Sequence, residues 1–212
     1  MAATNDARFW DVRARKYAAS PISDMAGYER TLEATRQRLK PSDTVIEFGC
    51  GTGTSALKLA PTAALFVATD VSPGMLAIAR EKAAAENIAN VEFTGATPDD
   101  APWPDATFDA ALAFNLLHLV EARAAALAGM HRLLKPGGLF ISKTPCIGEM
   151  NPLLRVAIPV MQFFGQAPYV GVFRAPDLER EIEAAGFEII ERARHGTRPK
   201  QEPRVFLVAR KR

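Results

Sequence analysis

A glycine-rich segment of the chain combines a sharp turn with the end of an apolar run. Gly49, Gly51 and Gly53 follow the apolar start of residues 45–48. Because glycine lacks Cβ and reaches positive φ, such a loop lets a ligand lie against bare backbone. Asp70 ends the next apolar run, where a carboxylate can accept two hydrogen bonds from a ribose diol. These residues predict a site for an adenosine-containing ligand.

Runs typical of strands alternate with runs typical of helices through most of the chain. The strand-like runs are residues 44–48, 65–70, 91–94, 108–115, 139–143, 187–190 and 204–208. This alternation predicts βαβ units and a mostly parallel sheet. The connection at 195–203 is too short for a helical crossover and contains two prolines and a glycine. We therefore expect a hairpin and a last strand that runs antiparallel to its neighbour.

Helices are predicted between these strands. Ser72 is a typical N-cap and Pro73 a typical first helical residue, and the alanine-rich run 75–85 follows them. Amphipathic or apolar patterns predict further helices at 122–134 and 176–185.

Two regions lie outside the alternation. Residues 5–18 and 25–39 are helical in pattern and predict an N-terminal two-helix arm within residues 1–40 that could cover the ligand. Residues 145–175 form an unusually apolar insertion after the fifth predicted strand. The insertion could be core cover or a lid on the acceptor site. Since ligand crevices lie outside the carboxyl ends of strands, its position after the fifth strand favours the lid. We expect residues 1–212 to form a single α/β domain.

Composition excludes several classes of protein. Hydrophobic residues at 48% and charged residues at 24% are typical of an ordinary soluble globular chain, so disorder is not favoured. A net charge of +2 is too small to predict nucleic-acid binding. Two cysteines, Cys50 and Cys146, match neither a zinc spacing nor a disulfide framework, so we expect no metal site and a reducing cytoplasm. We also expect neither a signal peptide nor stable membrane insertion.

Three motifs follow one another in a recognisable order. Residues 47–53 read Glu-Phe-Gly-Cys-Gly-Thr-Gly, residues 70–76 read Asp-Val-Ser-Pro-Gly-Met-Leu, and residues 133–139 read Leu-Leu-Lys-Pro-Gly-Gly-Leu. The chain thereby resembles class I S-adenosylmethionine-dependent methyltransferases, in particular the bacterial group similar to ubiquinone and menaquinone C-methyltransferases. The resemblance covers roughly residues 43–208. It implies a Rossmann-like, seven-stranded, mostly parallel sheet with an antiparallel last strand and helices on both faces.

The resemblance implies S-adenosylmethionine as cofactor and S-adenosylhomocysteine as product. Gly49, Gly51 and Gly53, with Cys50 in the same loop, would back the methionine and ribose portions. Asp70 would hold the ribose hydroxyls.

The same resemblance assigns further cofactor contacts. Val71 and Met75 would sandwich the adenine, and Glu47 would help to orient the methionine end. Asn115 occupies the tip of the fourth strand near the reactive methyl group, and Tyr17 follows an aromatic segment that closes over the cofactor in relatives.

One departure concerns the adenine. Relatives often have an acidic residue followed by a small one there, whereas alignment on residues 102–105 places Thr97 and Pro98 at these positions. Proline has no N–H to donate. Either a one-residue shift makes Ala96 and Thr97 the contacts, or adenine binding depends more on stacking.

Methyl transfer from a sulfonium is a direct displacement, so the protein must mainly align the reactants and exclude water. A catalytic residue is therefore optional. His118, just beyond the fourth strand, is the nearest candidate general base, although a histidine hydrogen-bonded at a helix start is the alternative interpretation. Asn115 is a second candidate. The apolar insertion predicts a small or medium hydrophobic acceptor that is quinol-, polyketide- or lipid-like.

Other functions stay open from the sequence. A nicotinamide-dependent oxidoreductase would need Gly-x-Gly-x-x-Gly, whereas the glycines here are evenly spaced by two. A non-catalytic binding protein with the same fold is not excluded. RNA methylation is disfavoured because there is no dense basic patch. The sequence does not indicate an oligomeric state or which atom is methylated.

Overall fold

Seven strands of the described chain form one sheet with the order β3-β2-β1-β4-β5-β7-β6. The structure is a computed structural model, and it describes residues 2–197 and 203–212. The first five strands pair in parallel, whereas β7 is antiparallel to both β5 and β6. This arrangement confirms the predicted Rossmann-like α/β fold with its antiparallel last strand.

The strands lie close to their predicted positions. They are β1 (Thr44–Phe48), β2 (Leu65–Thr69), β3 (Val91–Thr94), β4 (Phe108–Phe114), β5 (Leu134–Pro145), β6 (Phe187–Ala193) and β7 (Arg204–Lys211). The largest difference is β5, which begins at Leu134 rather than at residue 139. Leu134 already pairs with Phe108 before a register shift leads into the regular ladder. The preceding helix therefore ends earlier than predicted.

Helices flank the sheet. They are α1 (Ala2–Asp11), α2 (Ala14–Ala19), α3 (Met25–Arg36), α4 (Thr54–Leu59), α5 (Pro73–Ala85), α6 (Arg123–Leu133), α7 (Leu154–Phe163) and α8 (Ala175–Ala184). Ser72 caps α5 as predicted, and its side chain accepts a hydrogen bond from the Met75 N–H. The predicted helix 5–18 is wrong as one element, because the chain turns after Asp11 and the arm contains three helices. The predicted hairpin connection includes residues 198–202, which lie outside the described residues.

Two apolar cores cover the two faces of the sheet. One core includes Phe108 and Phe140 against α6 and α8, and the other includes Leu32 and Phe66 against α3 and α4. A smaller cluster joins Trp10 and neighbouring arm residues to α5. Because both faces are covered, the open edge for a ligand is the end of the sheet where β1 to β4 terminate.

The insertion at 145–175 contains α7, which retains Pro159 inside the helix. Its apolar side chains are largely exposed: Phe163 is 85% and Phe164 is 68% exposed. No helix among residues 2–197 and 203–212 is long and apolar enough to cross a membrane.

Candidate active site

A cavity of about 560 Å³ lies at the carboxyl ends of β1 to β4, and we name it the main cavity. Its wall comes from the arm, the loops after these four strands and the segment after α7. The lining residues are Trp10, Tyr17, Phe48, Gly49, Gly51, Asp70, Val71, Met75, Ala96, Thr97, Pro98, Asp99, Phe114, Asn115, Leu116, Leu119, Val120, Glu121, Ala122 and Pro168. The cavity therefore occupies the point where the strand order reverses between β1 and β4, which is the usual ligand crevice of this architecture.

The glycines of the loop after β1 differ in what surrounds them. All three have positive φ, with values of 69° for Gly49, 54° for Gly51 and 75° for Gly53. A Cβ at Gly51 would meet nothing closer than Tyr17 Cε1 at 3.8 Å, so its backbone faces open space in the main cavity. A Cβ at Gly53 would lie 2.8 Å from the Ala79 Cβ. The missing side chain at Gly51 thus leaves room for a ligand, whereas the missing side chain at Gly53 allows the loop to pack closely against α5.

Asp70 lies at the tip of β2 and is held by backbone donors. Its Oδ2 accepts a hydrogen bond from the Gly51 N–H at 2.9 Å, and its Oδ1 accepts one from the Ser72 N–H at 2.9 Å. Burial raises the pKa of this carboxyl, and the N–H donors of Ser72 and Gly51 oppose that rise. The carboxylate is fixed at the cavity wall, and its remaining lone pairs suit a ligand diol.

Glu47 lies behind this wall rather than on it. Its side chain is 2% exposed, and Oε2 has no hydrogen-bond partner among the residues that the structure describes. Burial first, and the charge of Asp70 second, raise its pKa to about 8. A buried, unpaired carboxyl next to a ligand cavity suits a ligand that brings positive charge or donors.

The arm closes the main cavity from one side. Asp11 at the end of α1 accepts hydrogen bonds from the Ser72 hydroxyl and, at 2.9 Å, from the Gly74 N–H. This contact fixes the arm to the N-terminus of α5, where a carboxylate is favoured by the helix dipole. Trp10 and Tyr17, whose rings meet edge to face at 6.0 Å, then line the cavity. The sequence pattern did not single out Asp11 for this anchoring.

The predicted adenine contacts lie together. Val71, Met75 and Thr97 all line the main cavity, and Pro98 begins a short 3₁₀ turn beside them. Asp99, which the sequence analysis did not consider, also lines this end. An acidic residue thus lies two positions after Thr97, in the region where the expected acidic residue is missing.

Asn115 directly follows β4 and has a left-handed conformation, with φ of 53°, which asparagine tolerates better than most residues. Its N–H donates to the Lys143 carbonyl at 2.8 Å. Asn115 and Phe114 line the main cavity and also a second cavity of about 120 Å³, which we name the side cavity. Asn115 therefore borders both cavities.

The structure does not place every predicted site residue on the main cavity. Glu47, Cys50, Gly53 and His118 do not line it. Cys50 is buried in the core between β1 and α4, and burial raises the pKa of its thiol.

His118 lies in the short 3₁₀ turn after β4, and its Nδ1 has no partner among the described residues. Burial first, and the charge of Arg204 second, lower its pKa to about 4. The imidazole is neutral near pH 7 but a weak base, and it lies outside the main cavity wall. The geometry therefore does not support His118 as the general base, because proximity along the chain to the strand tip did not bring its ring to the cavity.

Comparisons with known proteins agree with this site. Residues 45–138 match the family model described as a methyltransferase domain. The chain is 35% identical over 203 residues to a demethylmenaquinone methyltransferase of Corynebacterium kroppenstedtii, covering 86% of this chain and 85% of the relative. It is 38% identical over 111 residues to one of Clavibacter sepedonicus, covering 51% of this chain and 44% of the relative. The matched part thus spans less than half of the Clavibacter protein.

A solved S-adenosylmethionine-dependent methyltransferase from Thermotoga maritima has the same fold, with a TM-score of 0.72, 21% identity and coverage of 97% of this chain and 99% of that one. The chain belongs to the class I S-adenosylmethionine-dependent methyltransferases. Within that class it is similar to the demethylmenaquinone methyltransferases named above.

The residues present fit S-adenosylmethionine, the cofactor of this family. Asp70 offers a fixed carboxylate for the ribose diol, and bare backbone at Gly51 leaves room beside it. The unpaired Oε2 of Glu47 lies behind the loop, where it favours the positively charged methionine end. When bound, this cofactor supplies a methyl group on a sulfonium, which leaves as a neutral thioether.

Proposed function

We propose that this protein transfers a methyl group from S-adenosylmethionine to a small or medium, largely apolar acceptor. The observation that carries the proposal is the continuity of the main cavity. The same cavity joins Gly51 and Asp70 to an apolar wall after β4 formed by Phe114, Leu116 and Leu119. Such a wall favours an acceptor with substantial apolar surface.

The relatives support this acceptor class by their names. They include demethylmenaquinone methyltransferases, and a malonyl-[acyl-carrier protein] O-methyltransferase of Serratia marcescens is 29% identical over 113 residues. The near balance of 26 basic and 24 acidic residues supports a small molecule over a nucleic acid. Quinol-like, polyketide-like and lipid-like acceptors remain the proposed range.

The residue roles follow from the site. Asp70 holds the ribose, Val71 and Met75 pack on the adenine, and Tyr17 covers the cofactor from the arm. Asn115 borders the reactive methyl group and orients the acceptor. Exclusion of water by the arm and alignment by these walls would supply most of the rate, because the leaving group is already activated.

We also propose one domain for residues 1–212, with the segment 145–175 as a lid. Pro168 supports the lid, because it reaches the wall of the main cavity. A reducing, cytoplasmic location is supported by the two cysteines, Cys50 and Cys146, which are buried free thiols.

The first test is calorimetric titration with S-adenosylhomocysteine, with NADH as the comparison ligand. We expect micromolar binding of S-adenosylhomocysteine and none of NADH. Asp70→Ala should weaken binding at least tenfold, since it removes charge-assisted hydrogen bonds worth roughly 1.5–3 kcal/mol. Asp70→Asn retains the shape and should also weaken it, whereas Asp105→Ala, on the exposed surface, should not.

Transfer of labelled methyl groups to fractionated small-molecule extracts then tests the acceptor class. Label that enters only highly polar, charged molecules would contradict the apolar acceptor. Binding of S-adenosylhomocysteine without any transfer to any fraction would instead support a binding protein.

A further inference from the structure

The segment after β5 carries an apolar helix face that stays exposed to solvent. On α7 and its two flanking residues, exposed apolar side chains recur at the spacing that puts them on one side of a helix. They are Leu153, Val160, Met161, Phe163 and Phe164, which are 42–85% exposed. We name these five residues the α7 face. A helix of a globular protein normally buries such a stripe, so this one is suited to an apolar surface outside the protein.

The charge of the surrounding segment has one sign. Between Glu149 and Asp177 the chain contains no aspartate and no glutamate, and its charged residues are Arg155 and Arg174. An anionic surface that approaches the α7 face therefore meets no carboxylate in this segment that would repel it.

The basic part of the N-terminal arm lies beside the end of α7. The Arg13 guanidinium donates to the Gly165 carbonyl at 3.4 Å, just after the two phenylalanines of the α7 face. Asp11, the acidic residue within 7–23, accepts its hydrogen bonds at the start of α5. The basic side chains within 7–23, which we name the basic arm, are Arg8, Arg13, Arg15 and Lys16. Apart from Arg13 they are exposed, and they form no ion pair within the part of the chain that the structure describes.

The α7 face and the basic arm both lie close to the main cavity. Trp10 and Tyr17 of the arm line this cavity, and so does Pro168, which follows α7. Tyr17 is also 51% exposed. A surface that contacts the arm and α7 together would therefore lie beside the main cavity.

We propose that the α7 face and the basic arm dock together on an anionic lipid surface. Phenylalanine and leucine side chains enter the boundary between headgroups and acyl chains, while arginine and lysine side chains stay near the phosphate groups. Docking of this kind needs no helix that spans the bilayer. A second copy of the chain suits the α7 face less well, because it would bring two basic arms close together.

The use of this docking rests on the proposed methyltransferase function, although the docking itself does not. An apolar acceptor dissolved in the bilayer would reach the main cavity without crossing water, and its apolar surface would stay out of water throughout. The lipid surface would thus supply the acceptor as well as the docking site.

Flotation of the full chain with phospholipid vesicles tests the docking. Vesicles of phosphatidylcholine are compared with vesicles in which about 30% of the lipid is phosphatidylserine. We expect the protein to bind the anionic vesicles at least tenfold more tightly. About 0.5 M NaCl should remove most of this preference, because salt screens exposed charges.

A first double variant tests the apolar part. The Phe163 and Phe164 rings contact each other at 5.3 Å and are exposed, so their loss should leave the fold intact. Phe163→Ser combined with Phe164→Ser should weaken binding to anionic vesicles at least tenfold. Phe163→Leu combined with Phe164→Leu is the matched control and should retain most of the binding.

A second double variant tests the charged part. Arg15→Gln combined with Lys16→Gln should reduce the preference for anionic vesicles at least tenfold. Lys40→Gln combined with Lys135→Gln removes the same charge at the other end of the sheet, before β1 and near the start of β5, and should leave the preference unchanged. S-adenosylhomocysteine affinity and thermal unfolding without lipid are measured for every variant to confirm that the fold is intact.

Four results overturn the proposal. They are no binding to anionic vesicles up to about 1 mM accessible lipid, equal binding to both kinds of vesicle, and unchanged binding by the double serine variant. The fourth is a wild-type dimer in sedimentation that the double serine variant dissociates, because a second copy would then cover the α7 face. Vesicle binding is measured without cofactor, so failure to bind S-adenosylhomocysteine contradicts the proposed function separately.

Discussion

At the scale of single residues, the buried carboxyl of Glu47 links protein stability to pH. Its pKa is raised from the ordinary 4.5 to about 8, by burial first and the charge of Asp70 second. The folded state keeps a proton that the unfolded chain releases, so this group makes the protein less stable as pH rises from about 4.5 towards 8. The opposite sign would hold for a carboxyl whose pKa is lowered on folding.

Glu47→Gln keeps the shape of the side chain without the ionisable group. We subtract the free energy of unfolding of the wild type from that of Glu47→Gln. We expect this difference to increase by on the order of 2–4 kcal/mol from about pH 5 to about pH 8.5. Urea unfolding followed by tryptophan fluorescence at several pH values measures this difference. Glu92→Gln, on an exposed position of β3, is the control. Parallel pH profiles for Glu47→Gln and the wild type would refute the prediction.

We expect cofactor binding to release a proton from the same carboxyl. In the proposed binding mode a sulfonium and an ammonium group near Glu47 would lower its pKa, so binding of S-adenosylmethionine near pH 7 should release close to one proton. Calorimetry in buffers of different ionisation enthalpy measures the number. Glu47→Gln should release markedly less, and equal release by both proteins would assign the proton to another group.

Alanine substitutions separate the glycines that bind from those that pack. Gly53→Ala combines a positive φ with a contact of 2.8 Å to Ala79 Cβ, so we expect destabilisation of roughly 2–5 kcal/mol. Gly137→Ala is the matched control, since it has the same φ of 75° and nothing within 4 Å. It should cost about 1–2 kcal/mol. Urea unfolding measures all of these values, and equal costs at the two positions would contradict the packing role.

Gly51→Ala should resemble Gly137→Ala in stability, because its nearest neighbour would be 3.8 Å away. Its added methyl group projects towards the main cavity, so we expect S-adenosylhomocysteine to bind at least tenfold more weakly. Calorimetry on the folded variant measures this loss. Unchanged affinity would show that the cofactor does not lie against Gly51.

At the scale of elements, the Asp11 carboxylate joins the first helix of the N-terminal arm to the start of α5. Trp10 and Tyr17 reach the main cavity from this anchored position. Asp11→Ala removes both hydrogen bonds while leaving the remaining cluster of Trp10, Ala14 and Met75 intact. The arm should then detach more often without global unfolding.

Hydrogen exchange of α1 and α2 measures this detachment. We expect faster exchange in Asp11→Ala and S-adenosylhomocysteine affinity that is lower by about threefold to tenfold, since part of the binding energy must first close the arm. Asp105→Ala, an exposed ion-pair residue, serves as the control for loss of a carboxylate. If hydrogen exchange of α1 and α2 is unchanged but S-adenosylhomocysteine affinity falls, Asp11 contacts the ligand directly instead.

At the scale of the whole molecule, the strand pattern and the motifs were enough to predict the sheet, and most residues proposed to bind the cofactor lie together at one end of it. Periodicity places strands reliably because burial on both faces requires continuous apolar runs. The glycine loop and Asp70 could be recognised in the sequence because glycines and a carboxylate at the tip of a strand have few physical roles. Most of the predicted cofactor residues accordingly line the main cavity.

Features that depend on tertiary contacts were not predictable. The break after Asp11, the early start of β5 and the turn that brings Asp99 to the cavity wall depend on distant partners. His118 does not line the main cavity, because position along the chain does not fix which way a ring points. The side cavity combines α3, β4, β5 and β7, elements far apart in sequence, so no local pattern indicated that Lys143 and Arg204 would line one cavity.

The position of β7 has a consequence for the order in which the protein forms. β7 is the last described strand to leave the ribosome, yet it lies between β5 and β6, and its central residues 205–209 are buried. Until it is synthesised, the edge of β5 is open, β6 has no partner in the sheet and Arg204 is missing from the side cavity. The nascent chain therefore completes β1 to β4, with the glycine loop and Asp70, before it completes the half of the sheet formed by β5, β7 and β6.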